Sequence, residues 1–453
     1  MVDGYAGQLV LVCGARFAGQ AAARALLAQG ARVLLSDRDR PVGVEALVAA
    51  GAQLTGPLQT VPDGVAFVVT SPGFPPTHPL LVDAAARGLD VVGEVELAWR
   101  LRGERPAAWL MITGTNGKTT TVRMLESILR ADGRRALAVG NVGVSIIDAV
   151  LDPDPYDVLA VEVSSYQLHW SSTIRPAAGA LLNLAPDHLD WHGSMTAYAQ
   201  AKARVWAGDV AIGNADDAGV AAMLPAGAVT FILGEPSTGQ LGVVGGQLVS
   251  RAFGDDGLVL ADVAEVRPPG DHNVANALAA AALARAYGVP AEAIASGLRT
   301  FAPDPHRNQL VHEHGGVAWV DDSKATNPHA ARASLLAYPH VVWIAGGQLK
   351  GVAVDDLVAE VAEVAGRLRA AVLLGEDRAE VAASLARHAP EVPVIVVDST
   401  DDGAMTEVVR AAAGLARPGD TVLLAPAAAS YDMFAGYGAR GDAFAAAAKA
   451  LTS

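Results

Sequence analysis

Residues 111–125, MITGTNGKTTTVRML, set glycines, a lysine and a run of hydroxyls between an apolar stretch and a helix-like pattern. That order suits phosphate. A chain that leaves a strand and turns at once into a helix presents unpaired N–H groups at the helix start, where an anion is favoured. Gly114 and Gly117 permit the turn and a close backbone approach, with Thr115 and Asn116 between them. Lys118 can neutralise β- and γ-phosphates, and Thr119 or Thr120 can reach a magnesium ion. The spacing is not that of the common G-x-x-x-x-G-K-[ST] signature, because Ile112 stands where its first glycine belongs. A nucleotide-bound magnesium also calls for an acid at the end of a neighbouring strand. YDVLAVEVSSYQL, residues 156–168, offers Glu162 there, although a glutamate at a strand end can equally be a solvated charge.

Two further stretches carry candidate chemistry. In LVLVCGARFAG, residues 9–19, a strand turns into a helix, and Asp37 ends the next strand where an acid would read a ribose. An NAD(P)-dependent oxidoreductase is therefore an alternative for this segment, against which Gly14 and Gly19 do not complete the G-x-G-x-x-G fingerprint. Asn273 and Asn276 lie three apart, so paired amides on one helix face could read an adenine edge.

These groups must be carried by α/β elements. GQLVLVCG, ARVLLSD, AFVVTSPG and DVVGE read as strands of a first unit, residues 1–97, separated by Ala/Leu helices. AAWLMITG, RALAVGN, YDVLAVEVSS, AGALLNLAPDH and DVAIGNADD read as strands of a second, residues 98–303, with a β-hairpin excursion over 234–257 and a long helix at NVANALAAAALARAYG. APDPHR, residues 302–307, is the linker to a third unit, residues 304–453, whose strands are VAWVDDS, HVVWIAGG, AAVLLGED, VPVIVVDST and TVLLAPAA. Alternation of this kind predicts a three-domain α/β protein: Rossmann-like at both ends, with a P-loop ATPase-type domain between.

Composition narrows the function. The chain is 51% hydrophobic with 5% aromatics, which fits helices on buried parallel sheets. A net charge of -15 opposes general attraction to nucleic acid or anionic lipid, so anionic substrates must meet local positive groups. The single cysteine, Cys13, excludes an internal disulfide and, with no secretory pattern and no membrane-length apolar run, points to the cytoplasm.

TGTNGKTT followed by EVSSYQL resembles the Mur ligase family, ATP-dependent amide-forming enzymes that build the peptide of cell-wall precursors. The resemblance runs along the chain in order: GNVG at 140–143, PDHLDWHG at 186–193, YAQAKARVW at 198–206, GDHNVANALAA at 270–280, PHR at 305–307 and DDSKATNP at 321–328. It implies that the shorter loop binds ATP, that Lys118, Thr119 and Glu162 handle phosphate and magnesium, and that Asn141 and His188 approach the reacting carboxylate and metal. Lys202 by itself reads as a solvated helix lysine; the resemblance makes it a carbamylated ligand of a second magnesium. Arg307 would reach ATP on closure of the C-terminal domain and Asp322 its ribose, with Asp321 only a surface charge.

For the amino acid, SKATNP implies the branch that adds D-glutamate, cradled by Lys324, Thr326, Lys350 and Ser430, with Tyr437 where phenylalanine is usual. UDP-N-acetylmuramoyl-L-alanine would lie on the first unit, near Arg16, Asp37, Arg38, Ser71 and Gly73. The expected activity is ligation of these two through an acyl phosphate, a step in peptidoglycan synthesis and hence in cell shape and division. Its alternatives are a relative adding another amino acid, a folylpolyglutamate-type ligase, or a nucleotide-switch binding protein.

Overall fold

A computed structural model describes residues 4–364, 366–400 and 403–452. The described chain divides into two compact units, Met1–Glu265 with Ala275–Phe301, and Val266–Val274 with Ala302–Ser453. The first unit holds two sheets and the second holds one.

The first sheet has five parallel strands in the order Gln53–Thr55, Arg32–Ser36, Leu9–Cys13, Val65–Thr70, Asp90–Gly93. Its chain order reverses between Leu9–Cys13 and Val65–Thr70, which opens a crevice at their carboxyl ends where ligands of such sheets bind. Leu11, Val12, Val68 and Leu35 are fully buried, as expected of strands covered on both faces. Cys13 is buried too, which pushes its thiol pKa up to about 12.

The central sheet has nine strands, in the order Leu258–Asp262, Gln247–Ser250, Gln240–Val244, Val229–Phe231, Val210–Asn214, Ala178–Leu181, Ala108–Thr113, Val158–Glu162, Ala136–Gly140. The expected hairpin is present: Gln240–Val244 and Gln247–Ser250 pair antiparallel across Gly245 and Gly246, both at positive φ, the turn that matches strand twist. The first and central sheets share one core, in which Leu26, Val95, Leu97, Trp109, Ile146 and Val161 are buried together. DVVGE, read as a strand to its end, gives a strand only over Asp90–Gly93; Glu94 begins a helix, Glu94–Arg100, that packs into this core.

The second unit carries six strands, in the order Gln309–His314, Val317–Asp321, Thr421–Leu424, Val341–Ala345, Leu368–Leu373, Val394–Val396, all parallel except the first pair. Helices pack on both faces in two separate cores, one around Trp343 and Leu373, the other around Trp319 and Phe444. No helix among the described residues is long and apolar enough to cross a membrane.

Candidate active site

Strand Ala108–Thr113 lies between Ala178–Leu181 and Val158–Glu162, and its carboxyl end delivers the glycine loop to helix Lys118–Ala131. Gly117 caps that helix at φ +82, a conformation costing an L side chain roughly 1–2 kcal/mol, and a Cβ there would meet Asn276 Oδ1 at 2.3 Å. Asn276 is thus packed against the loop from the buried helix Asp271–Ala286. Lys118 Nζ donates to the carbonyls of Gly114 and Thr115, at 3.0 and 2.8 Å, and so stays folded over the loop.

Thr115 and Asn116 serve the loop's shape. Thr115 Oγ1 accepts from Ala185 N and pairs with the buried Tyr198 hydroxyl at 2.9 Å. Asn183 holds Asn116 from both sides, accepting from its N–H at 2.8 Å and donating to its carbonyl at 3.1 Å. Neither Asn183 nor Tyr198 was singled out by sequence. Asn183 sits within ALLNLAPDH, where a polar residue at the end of a buried strand was the available signal. Thr120 is buried and Thr119 half-buried on the first helical turn.

Beside this loop Glu162 ends its strand with 1% of its surface exposed, so it is not a solvated charge. Oε1 accepts from Asn141 Nδ2 at 3.0 Å, and the Glu162 carbonyl accepts from Asn141 N at 2.9 Å. Oε2 is buried and has no hydrogen-bond partner among the described residues. A buried carboxylate oxygen left unpaired is costly, and a cation would satisfy it. Among the described residues no group of three or more His, Cys, Asp or Glu side chains forms a ready metal cluster, so hydroxyl, modified-lysine or phosphate oxygens must supply ligands if a cation sits here.

Two residues give this region unusual basicity. His188 stands at φ 54 with its ring 4.7 Å from that of Tyr166; burial lowers its pKa, the Lys118 and Lys202 charges act likewise, and Asp187 opposes them. A neutral imidazole is the form that ligates metal. Lys202, expected on sequence alone to be a solvated lysine, is 2% exposed. Its Nζ donates to Gly114 O at 2.7 Å and lies 4.7 Å from the centre of the Tyr198 ring, and it has no ion-pair partner among the described residues. Burial, and then the Lys118 charge, hold its pKa well below the usual lysine value. An amine so placed favours its uncharged, nucleophilic form.

At the crevice of the first sheet Gly14 lies so close to Ser71 that a Cβ on it would meet the Ser71 Oγ at 2.3 Å. Asp37 is turned inward: Oδ2 accepts from Ala15 N at 2.5 Å and Oδ1 from Asp39 N at 2.9 Å, so the carboxylate shapes the loop. Arg16, Arg38 and Gly73 are exposed around it, with Arg16 3.8 Å from Asp39.

In the second unit the residues expected for the amino acid follow the carboxyl ends of three adjacent strands: Lys324 and Thr326 after Val317–Asp321, Lys350 after Val341–Ala345, Ser430 after Thr421–Leu424. Lys324 Nζ lies over the Tyr437 ring at 3.9 Å, a cation–π contact. Asp321 is no surface charge: it is fully buried, and Oδ2 pairs with His306 Nδ1 at 2.7 Å. Asp322 is also buried; it accepts from Asn308 N at 3.1 Å and from the Ser334 hydroxyl, and burial raises its pKa to about 6. Arg307 is half-buried and its charge acts on Asp322. Asn273 is buried at the start of helix Asp271–Ala286, its amide 3.0 Å from His272 Nε2.

Arg440 was missed altogether, because an arginine in GYGARGDAF reads as a helix-surface charge. It is 1% exposed and donates to Ser323 Oγ at 2.9 Å, Ser323 O at 3.0 Å, Ala428 O at 3.1 Å and Gly346 O at 3.4 Å. These acceptors belong to the three loops that carry Lys324, Lys350 and Ser430.

Residues 112–284 match the Mur ligase middle domain, and residues 306–428 the Mur ligase glutamate ligase domain. The chain is 53% identical over 479 residues to the UDP-N-acetylmuramoylalanine--D-glutamate ligase of Streptomyces coelicolor, with all of both chains covered. It is 56% identical to the Thermobifida fusca enzyme of the same name (98% and 99% covered) and 50% to that of Mycobacterium tuberculosis (98% and 96%). Among solved structures, its fold is similar to a pseudomurein peptide ligase type C from Methanothermus fervidus (TM-score 0.56, 19% identity, 92% and 96% covered). It is also similar to a UDP-N-acetylmuramate-alanine ligase from Thermotoga maritima (TM-score 0.55, 17% identity, 93% and 95% covered).

Proposed function

The chain belongs to the Mur ligase family, and on that premise we propose that it joins D-glutamate to UDP-N-acetylmuramoyl-L-alanine with consumption of ATP. Full-length identity above 50% to ligases named for that reaction supports the substrates. The observation that carries the chemistry is Glu162 Oε2, buried and unpaired beside the glycine loop.

The reaction must make a poor electrophile reactive. The alanine carboxylate attacks the γ-phosphorus, ADP leaves, and an acyl phosphate forms. The D-glutamate amine then attacks the acyl carbon, and the tetrahedral intermediate collapses with loss of phosphate and the amine proton. Both partners of the first step are anionic, so the protein must screen charge at the reacting oxygens. Lys118 is the cation at hand, and it begins the helix Lys118–Ala131, whose first N–H groups are the unpaired donors of a helix start. Magnesium, when bound, supplies further screening and polarises the phosphoryl oxygens. Thr119, Glu162, His188 and Lys202 would hold two such ions.

The depressed basicity of Lys202 supports its carbamylation: the uncharged amine attacks carbon dioxide, an N–C bond forms, a proton leaves, and a cation site becomes an anion. Gly114, Thr115, Asn116, Gly117 and Thr120 shape the nucleotide loop. Asn273 and Asn276 would meet the adenine, and Arg307 and Asp322 the phosphates and ribose. On the first sheet Arg16, Asp37, Arg38, Ser71 and Gly73 would receive the UDP part, with Asn141 nearer the reacting carboxylate. Lys324, Thr326, Lys350 and Ser430, two ammonium groups and two hydroxyls matching a dicarboxylate, would receive D-glutamate beside Tyr437. The division of labour among residues 1–97, 98–303 and 304–453, and a cytoplasmic location, belong to the same proposal.

Phosphate release is the test, measured with UDP-N-acetylmuramoyl-L-alanine, ATP and magnesium. Release that requires D-glutamate, and is not supported by L-glutamate, lysine or diaminopimelate, is expected. Its absence would defeat the assignment.

A further inference from the structure

Helix Glu94–Arg100 leaves the first sheet with two buried carboxylates in its first turn, and they reach different parts of the central sheet's layer. Glu96 accepts from Ser172 N at 2.9 Å and Thr173 N at 3.1 Å, and pairs with Arg100 at 3.0 Å. Glu94, 4% exposed, accepts from Ser145 Oγ at 2.6 Å.

Ser145 carries that hydrogen bond on into a second turn. Its hydroxyl also accepts from Ile147 N at 3.2 Å, capping the short helix Ile146–Val150. It closes the turn that begins at Gly140, where φ is +100 and a Cβ would lie 2.2 Å from Glu162 O. The bridge between Val139 and Val144 draws the turn shut. Inside it sits Asn141, which binds Glu162 through both backbone and side chain. The turn is therefore pinned at two places, by Glu162 at its start and by Glu94 at its end.

We propose that Glu94 is a positioning residue for the phosphate and cation site: by accepting from Ser145 it fixes the turn that presents Asn141 to Glu162, and so aims the unpaired Glu162 Oε2. This rests on the reading of Glu162 as a cation ligand. The role needs an acceptor and not a charge. Residues that orient a metal ligand through a hydrogen bond typically change affinity about 10–100-fold when lost, and one step further removed the lower end applies.

The test measures equilibrium binding of Mn2+·ATP to the full-length protein by calorimetry, with free Mn2+ followed by electron paramagnetic resonance. Glu94→Ala and Ser145→Ala are each expected to weaken binding about 10-fold. Glu94→Gln, which keeps an acceptor oxygen, should stay close to the parent. In an Asn141→Ala background Glu94→Ala should add nothing, since the link is already cut. Ser145→Ala removes one oxygen atom and keeps the question answerable if Glu94→Ala does not fold. Equal binding by parent and Ser145→Ala, or fully additive losses with Asn141→Ala, overturns the proposal. Failure of the parent to bind Mn2+·ATP at all would instead overturn the reading of the site on which it rests.

Discussion

Replacing Arg440 by methionine separates what this residue does for stability from what it does for substrate. The guanidinium serves three close acceptors, Ser323 Oγ, Ser323 O and Ala428 O, at 2.9, 3.0 and 3.1 Å. A buried acceptor stripped of its donor costs about 1–3 kcal/mol, so three amount to about 3–9 kcal/mol. Opposing this, burial lowers the Arg440 pKa to about 10. Keeping the charge there costs about 3 kcal/mol, which an apolar side chain of similar length recovers. The net loss is then about 0–6 kcal/mol, with the melting temperature falling roughly 2–4 °C for each kcal/mol lost. Stability is the smaller part of the expectation. Because these acceptors, with the Gly346 carbonyl at 3.4 Å, tie together the loops bearing Lys324, Lys350 and Ser430, Arg440→Met should raise KM for D-glutamate more than about 10-fold, while KM for UDP-N-acetylmuramoyl-L-alanine changes less than about twofold. Arg440→Lys keeps a charge but not the fork, and should recover little. Calorimetry and initial rates of phosphate release with each substrate varied provide both numbers. A folded Arg440→Met protein with unaltered KM for D-glutamate would refute the idea that this arginine organises the amino-acid loops.

Gly117→Ala should weaken ATP binding with little global destabilisation, because the added Cβ meets Asn276 Oδ1 and the backbone must leave φ +82; wild-type KM for ATP would contradict it. Asp322 has its folded pKa raised, so its stabilising contribution is present in full only below the unfolded value, by about pH 3, and is lost as pH rises through about 6. Relative to Asp322→Asn, the wild-type protein should therefore lose about 3 kcal/mol of unfolding free energy from pH 3 to 7. Urea titrations of both proteins read the difference, and a parallel pH course for the two would rule it out. Lys202→Ala should lose nearly all ligase activity and regain part of it with short-chain carboxylic acids; full activity without them would show that no carbamate is needed.

Much of this was legible because local pattern and fold agree. Apolar runs bounded by glycine, as in LVLVCG and WLMITG, are strands, and the loops that follow them hold most of the residues read as functional. The three-residue strands Gln53–Thr55 and Val229–Phe231 were not legible, since so few residues set no period. Gln309–His314 escaped for a different reason: QLVHEH is an edge strand exposed along much of its length. Burial of charge was the least visible property. Lys202 and Asp321 read as surface charges, and Glu94 and Arg440 drew no reading as buried charges, because what encloses each comes from segments distant in sequence. A helix register shows which face a lysine occupies, not what covers that face.

The core common to the first and central sheets has a bearing on how such chains recombine. Residue 97 lies inside helix Glu94–Arg100, whose Val95 and Leu97 are buried with Trp109 and Ile146. A crossover there between two relatives would pair apolar surfaces that had not been selected together, and would part Glu94 and Glu96 from the serines and threonine they hold. Near residue 302 the described chain passes between units whose cores are built from separate sets of residues. Viable hybrids should therefore carry the two N-terminal sheets as a single inherited block, and exchange of amino-acid preference should travel with the C-terminal sheet alone.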